Sequence, residues 1–465
     1  MTINEQDMQE HFVKLQSTFL SQRTLSRDWR IRQLEQIEKL LNNHVEEWKQ
    51  VLFEDLGKQA TEAWSTEIGY LLKDIRHTKR HLKKWMKPKR VSSPIAIAPA
   101  RSKLLPTPKG TVAVFGAWNY PLQLTLSPVV AAIAAGNTVC IKPSEVSPAT
   151  SQLIVKLCNR YLDSEAIWAV EGDAAIAAQL LNLPFDHIFF TGGSQIGKKV
   201  MHAAANHLSS VTLELGGKSP VIVSKHTDLE VTARRIVWGK FMNAGQTCIA
   251  PDYILVEKSV HEALTQALKA AIKELYGENI KESRDYGRIV SERHHQRLAK
   301  LLSDPELQHA KIWGGEQDAE SRYFAPAIID QCPVDASVMQ EEIFGPLLPI
   351  IPVSDFTEAL AFIQARPHPL ACYLFSSLQS EQNRVEKLIR CGSLCINDTM
   401  VFMLNPNLPF GGVGESGMGS YHGKYGFDTF SHQKPVVTRK FILDIDVRYP
   451  PYTEWKQKIL KKLLG

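Results

Sequence analysis

The chain has 465 residues, a 44% hydrophobic fraction and a net charge of +5 from 54 basic and 49 acidic residues. This length exceeds one core and points to several domains or one large domain with additions. Acidic and basic residues are mixed almost everywhere, which excludes a nucleic-acid footprint.

The seven cysteines, at 140, 158, 248, 332, 372, 391 and 395, form no disulfide framework. Cys391 and Cys395 have no second pair or histidine cluster at ligand spacing, so no metal site is expected. Met1 to Glu10 lacks the apolar core of a signal peptide, and the most apolar run, Val129 to Ala135, is far shorter than the ~20 residues of a membrane span. A cytoplasmic, reducing location is the expectation.

From about residue 10 to 87 apolar positions such as Leu34, Ile37, Leu40 and Leu41 recur at helical spacing, and proline is absent until Pro88. Val91 to Pro108 carries Pro94, Pro99, Pro106 and Pro108 with β-prone pieces at Ile95–Ile97 and Lys103–Leu105, which reads as an edge-strand arm that pairs with another subunit. Gly110 to Leu215 then alternates strands (Thr111–Phe115, Thr138–Ile141, His187–Phe190, Val211–Leu215) with helices near 122–135, 148–162 and 195–207. Such alternation predicts a parallel, doubly wound α/β sheet with a nucleotide site at its strand C-termini. A second α/β region follows from Gly216 to about Gly414, with strands at Pro220–Val223, Tyr253–Val256 and Leu347–Ile351 and helices near 229–242 and 260–275. The end is glycine-rich, then β-like at Val436–Thr438. It closes on a helix in which Trp455, Ile459, Leu460, Leu463 and Leu464 form one stripe among Lys456, Lys458, Lys461 and Lys462.

Several short stretches carry candidate chemistry. In Thr191-Gly192-Gly193-Ser194-Gln195-Ile196-Gly197, Gly192 and Gly197 allow a tight strand-to-helix turn where free N–H groups receive a phosphate, although Ser194 stands in place of the usual middle glycine. Lys142 and Glu145 follow another strand of the same sheet, where they suit an adenosine ribose or simply form a solvated loop. Asn119, in Trp118-Asn119-Tyr120-Pro121, is an uncharged donor for an oxyanion or, equally, a turn cap. Glu214 lies in an apolar strand, where lost hydration raises a carboxyl pKa and suits it to accept a proton. Cys248, after Gly245-Gln246-Thr247, has a nucleophile's position or that of a small buried hydrophobe. Glu342 and Phe344, before Gly345-Pro346, suit a ribose and a flat heterocycle or a plain helix end.

In this order, Trp118-Asn119-Tyr120-Pro121, Lys142-Pro143-Ser144-Glu145, Phe190-Thr191-Gly192, Glu214-Leu215-Gly216-Gly217-Lys218, Gly245-Gln246-Thr247-Cys248, Glu342-Ile343-Phe344-Gly345-Pro346 and Pro409-Phe410-Gly411-Gly412 resemble the aldehyde dehydrogenase superfamily over essentially the whole chain. Ala250-Pro251-Asp252-Tyr253 and Tyr421 to Phe430 resemble its class 3 branch of fatty, aromatic and coniferyl-type enzymes.

The resemblance implies an NAD(P)-dependent oxidation of a medium- or long-chain aliphatic or aromatic aldehyde to the acid, with NAD, NADP or both as cofactor. By that likeness Cys248 is the nucleophile, Asn119 with the Cys248 backbone N–H holds the oxyanion, and Glu214 activates the water that hydrolyses a thioester. Lys142 and Glu145 would hold the adenosine ribose and Glu342 with Phe344 the nicotinamide end. Trp118, Gly192, Gly193, Ser194, Gly197 and Leu215 complete the implied cofactor contacts. Departures are Gly193, where many relatives have a hydroxyl residue; Pro128, where other branches carry a lysine; and Phe402, near a histidine of several class 3 relatives.

The implied fold is a Rossmann-like cofactor domain (1–88 and 109–215), an α/β catalytic domain (216–429), a small β oligomerisation arm (89–108 and 430–447) serving a homodimer, and a basic amphipathic tail (448–465). The tail is read first as docking on the protein's own surface, with peripheral contact to an anionic membrane as the alternative. Among rival functions, a CoA-acylating or reductive relative would keep Cys248 but have no use for a hydrolytic base at Glu214. A non-catalytic binding relative would show loss of Cys248, Asn119 or Glu214.

Overall fold

Apolar runs alternating with helices assemble into a six-stranded sheet in the order Gly417–Met418, Ser210–Glu214, His187–Thr191, Thr111–Phe115, Thr138–Lys142, Ile167–Ala169. The computed structural model describes residues 4–442, 444 and 446–464. The expected N-terminal, arm and tail segments therefore extend at 1–3, 443, 445 and 465 outside the described residues. All neighbours in this sheet are parallel except the pair of Gly417–Met418 with Leu213 and Glu214. Thr111–Phe115 and Thr138–Lys142 are buried at every position, because helices cover both faces, and so they read as unbroken apolar runs. The chain starts at the central Thr111–Phe115 strand, builds outward on one side, then returns to build on the other with His187–Thr191. This reversal opens a crevice at the strand C-termini.

The second sheet has seven strands in the order Lys311–Gly314, Ala327–Asp330, Leu347–Val353, Tyr253–Glu257, Pro220–Val223, Ala371–Phe375, Ser393–Ile396. Only its first pair is antiparallel. The chain crosses between the sheets at Leu215–Ser219, so the C-terminal end of Ser210–Glu214 lies beside the start of the second sheet.

Three expectations need correction. The helical lead-in begins at Glu5 and is broken into Glu5–Leu20, Arg27–Asn43, Val45–Leu56 and Gly69–Trp85, with a π-helical turn at Trp64–Ile68. Ile95–Ile97 is a 3-10 turn and not a strand. Ala100–Pro108 is the central strand of a three-stranded antiparallel sheet, between Lys89–Val91 and Ser431–Arg439. Its prolines are tolerated there because Lys89–Val91 covers only Ser102 to Leu104, leaving Pro106 and Pro108 paired on one side alone. The Ile167–Ala169 strand and the Ala174–Leu181 helix add to the elements expected from the sequence.

The tail forms a helix over Glu454–Leu464. Its fixed point is polar: Lys456 is buried, donates to the Tyr449 carbonyl at 3.0 Å and pairs with Asp446 at 2.8 Å. Trp455, Ile459, Leu463 and Leu464 stay exposed, while Leu460 is half-buried and the helix touches the Ile95–Ile97 turn. Among the described residues, no helix is long and apolar enough to cross a membrane.

Candidate active site

The loop that presents Cys248 is shaped by its backbone. The Leu229–Phe241 helix ends in a kinked turn in which Asn243 and Ala244 both adopt left-handed conformations (φ 53° and 52°), a strained arrangement for residues with a Cβ. Gly245 follows at φ 77°, and a Cβ there would lie 2.3 Å from the Gly345 carbonyl oxygen. Two separate motifs, Gly245-Gln246-Thr247-Cys248 and Glu342 to Pro346, are thus locked together through a contact that only glycine permits.

Asn119 is buried and joins this loop from the first sheet. Its side-chain amide donates to the Gln246 carbonyl at 3.0 Å. The Asn243 amide donates both to that carbonyl (3.1 Å) and to the Asn119 carbonyl (2.8 Å). Tyr120 adds a bond between its hydroxyl and Thr247 Oγ1 at 2.7 Å.

Cys248, Asn119 and Glu214 line one cavity of about 410 Å³, together with Trp118, Gly192, Gly193, Leu215, Glu342 and Phe344. It sits at the crevice expected from the strand order, between the residues following Thr111–Phe115 and those following His187–Thr191. Glu214 is 3% exposed and neither of its carboxylate oxygens has a partner. Burial therefore holds its pKa well above the usual carboxylate range. Glu342 is likewise pushed up to about 8, by burial first and by Asp252 second, and its Oε1 is unpartnered. Its other oxygen packs on Gly216, where a Cβ would lie 1.9 Å away. The Cys248 thiol is half-buried, and burial, Glu342 and Glu214 in that order push its pKa up, so at rest it is a thiol.

The remaining cofactor candidates fall into four places. Trp118 packs on Phe344 at 5.1 Å and on His294 at 4.8 Å between ring centroids, giving the cavity an aromatic wall. Ser194 opens the Ser194–Ala205 helix with Gly193 as its cap, and it lines an adjoining cavity with Gly193, Gly216 and Glu342. Gly197 lines neither cavity but faces Leu215, whose Cδ2 would lie 2.7 Å from a Cβ at that position, so it serves close helix-to-strand packing. Lys142 and Glu145 are not at the Cys248 cavity. Lys142 is buried and paired with Glu145 at 2.5 Å, and Glu145 lines a separate hollow with Gly172 and Ile176. The unpartnered Glu342 Oε1, the space above Gly193, where a Cβ would meet nothing within 4 Å, and this second hollow together fit an extended dinucleotide.

A further cavity of about 250 Å³ reaches Cys248 and is mostly apolar, with walls from Tyr70, Leu124, Trp238, Met400, Met403 and Phe410. Sequence reasoning missed Tyr70, Trp238 and Met403, because aromatic and Met positions on helices read as core. Phe402 is not on this wall. It stacks between Tyr373 and Phe410, at 6.5 and 6.3 Å, while Val401 and Met403 on either side line the cavity.

The family model described as the aldehyde dehydrogenase family matches residues 2–436. Among curated proteins, the chain is 44% identical over 445 residues to the 4,4'-diaponeurosporen-aldehyde dehydrogenase of Staphylococcus aureus, covering 96% of each chain. It is 42% identical over 440 residues to a protein of Rattus norvegicus named "aldehyde dehydrogenase, dimeric NADP-preferring", covering 94% of this chain and 96% of that one. Among solved structures it matches the substrate-bound state of Staphylococcus aureus AldH with a TM-score of 0.96 at 43% identity, covering 100% of both chains.

Proposed function

The chain belongs to the aldehyde dehydrogenase family, and from that premise we propose that it oxidises a medium- or long-chain aliphatic or aromatic aldehyde to the carboxylic acid, using NAD, NADP or both. The observation that carries this reading is the single cavity lined by Cys248, Asn119 and Glu214, with Cys248 also lining an apolar second cavity. An apolar channel suits the tail of a water-poor aldehyde and leaves the reacting carbon at the thiol.

Cys248 reacts as the thiolate, its proton passing to solvent, and Glu214 is kept for the later hydrolytic step. A buried carboxylate with no hydrogen-bond partner has a raised pKa and is therefore a stronger base than an ordinary glutamate. Attack on the aldehyde carbon gives a thiohemiacetal whose oxygen is held by the Asn119 amide and the Cys248 backbone N–H, donors fixed before reaction. When bound, the nicotinamide cofactor supplies the hydride acceptor. Trp118 and Phe344 would flank its ring and Glu342 its ribose, while the Gly192 to Ser194 backbone would meet its phosphates. Lys142 and Glu145 would take the adenosine ribose. Glu214 then draws a proton from water as it attacks the thioester on Cys248, releasing the acid and restoring the thiol.

The cofactor domain would comprise 1–88 with 109–215, the catalytic domain 216–429, and the arm 89–108 with 430–447. A homodimer built on that arm is supported by the exposed Ile95, Val437, Phe441 and Ile442 and by the dimeric description of the rat relative. A cytoplasmic location is supported by the seven free cysteines. The test is a pair of variants. Cys248→Ala abolishes turnover, and Glu214→Gln gives a burst of reduced cofactor and then stalls. Steady wild-type turnover by Glu214→Gln rules out the assigned base.

A further inference from the structure

We propose that the buried ion pair of Lys58 and Glu67, on the N-terminal helical segment, is a positioning element for the oxyanion residue Asn119. This rests on the role given to Asn119 above. Both side chains are completely excluded from solvent, with Lys58 Nζ 2.5 Å from Glu67 Oε1. A buried pair of this kind contributes little net stability, since the desolvation of two charges offsets their attraction. Its placement therefore calls for another explanation, and the remaining bonds of the pair supply one.

Lys58 directs its other donors to the turn that bears Asn119. Nζ donates to the Asn119 carbonyl at 2.9 Å and stands 3.8 Å above the centroid of the Tyr120 ring. Glu67 uses its second oxygen on the next residues of the same turn, accepting from the Leu122 N–H at 2.9 Å and the Gln123 N–H at 3.2 Å. Positions 119, 120, 122 and 123, with Pro121 between them, are thus held by one buried pair.

Local backbone features explain how the pair reaches this turn. Gly57, at φ 65°, ends the Val45–Leu56 helix and turns the chain inward at Lys58. Glu67 lies in the π-helical turn Trp64–Ile68, a widened turn of the sort that often marks functional sites. On the other side, the Asn243 amide shares the Asn119 carbonyl with Lys58 and ties it to Gln246 of the nucleophile loop. The Asn119 carbonyl is thereby fixed from two directions, which leaves the side-chain amide in one orientation relative to Cys248. The energetic logic is that an oxyanion donor is effective only if it is in place before charge develops.

A double-mutant cycle tests the assignment on the full-length enzyme with cofactor and aldehyde, measuring kcat/KM, cofactor Kd and thermal midpoint for Lys58→Met, Asn119→Ala and the double variant. Lys58→Met is expected to lower kcat/KM by about 10- to 100-fold, as for a reacting group misplaced by about an ångström, with cofactor Kd unchanged within about twofold. In the Asn119→Ala background the same change is expected to cost less than about threefold, because the residue it positions is gone. If the two losses multiply, the positioning role is overturned while the function of Asn119 stands. If Asn119→Ala alone leaves kcat/KM intact, the oxyanion role itself falls, and the positioning role with it. Should Lys58→Met not fold, Glu67→Gln, which keeps the side-chain shape, replaces it in the same cycle with the same criteria.

Discussion

Gly245→Ala is expected to damage stability and catalysis together, through one methyl group. At φ 77° an L-residue costs roughly 1–2 kcal/mol relative to its preferred backbone. The added Cβ would also sit 2.3 Å from the Gly345 carbonyl oxygen, backbone that has no side-chain freedom to yield, and overpacking of this sort costs about 1–3 kcal/mol. Together these give about 2–5 kcal/mol, and relief requires the loop to move away from Gly345-Pro346. Asn243 and Ala244 are already left-handed, so the loop has little slack on its other side. Cys248 is three residues on and must shift with it, and an ångström of misplacement costs about 100-fold in rate. Thermal midpoint and kcat/KM are measured beside Gly193→Ala, where a Cβ meets open space at an ordinary φ of −74° and stability is expected to hold. A Gly245→Ala enzyme with wild-type midpoint and turnover would refute the argument that this contact locks the two motifs.

Protonation of Glu342 makes the free protein's stability pH-dependent. Its folded pKa of about 8 lies above the ordinary 4.5, so the folded state holds the extra proton and the resulting stability is present below about 4.5 and lost as pH rises through about 8. Glu342→Gln should therefore melt above wild type at pH 8.5 by an increment that disappears near pH 5, as read by thermal shift across that range; a pH-independent difference contradicts the assignment. Because the Cys248 and Glu214 pKa values are both raised, kcat/KM should climb as pH rises from about 6 to 9, and a profile falling over that interval speaks against thiolate attack with Glu214 as base. Narrowing the apolar cavity with Met403→Trp is expected to lower kcat/KM for long-chain or aromatic aldehydes by about tenfold, the cost of roughly 1–3 kcal/mol of crowding. Acetaldehyde serves as the control and should be affected less than about twofold; an equal loss for both would mean that the cavity does not hold the substrate tail.

Much of the site is legible in the sequence because its chemistry is written in short, ordered motifs. Cys248, Asn119 and Glu214 stand out in the sequence alone, and the structure brings them to one cavity. Thr111–Phe115 and Thr138–Lys142 are legible because helices bury both of their faces, which leaves continuous apolar runs, whereas Ile167–Ala169, equally buried, is too short to form such a run. Lys58 and Glu67 are not. On a charge-rich helical stretch, a lysine and a glutamate look like two more surface residues, and only the left-handed Gly57 and the π-turn bring them inward. Ile95–Ile97 misleads because β-branched residues between prolines suit a short turn as well as a strand. The tail stripe is visible as a pattern, but a periodic pattern does not show that the helix's one buried residue is the polar Lys456.

The whole mechanism passes through a covalent bond at Cys248, and intact-protein and peptide mass measurement reads that bond. Glu214→Gln is mixed with cofactor and an aldehyde, quenched in acid and digested. One acyl group, of the mass of the aldehyde's acyl residue, is expected on the peptide that carries Cys248 and on none that carries the other six cysteines. Reduced cofactor formed with Cys248 unmodified, or an acyl group on a different cysteine, would contradict it.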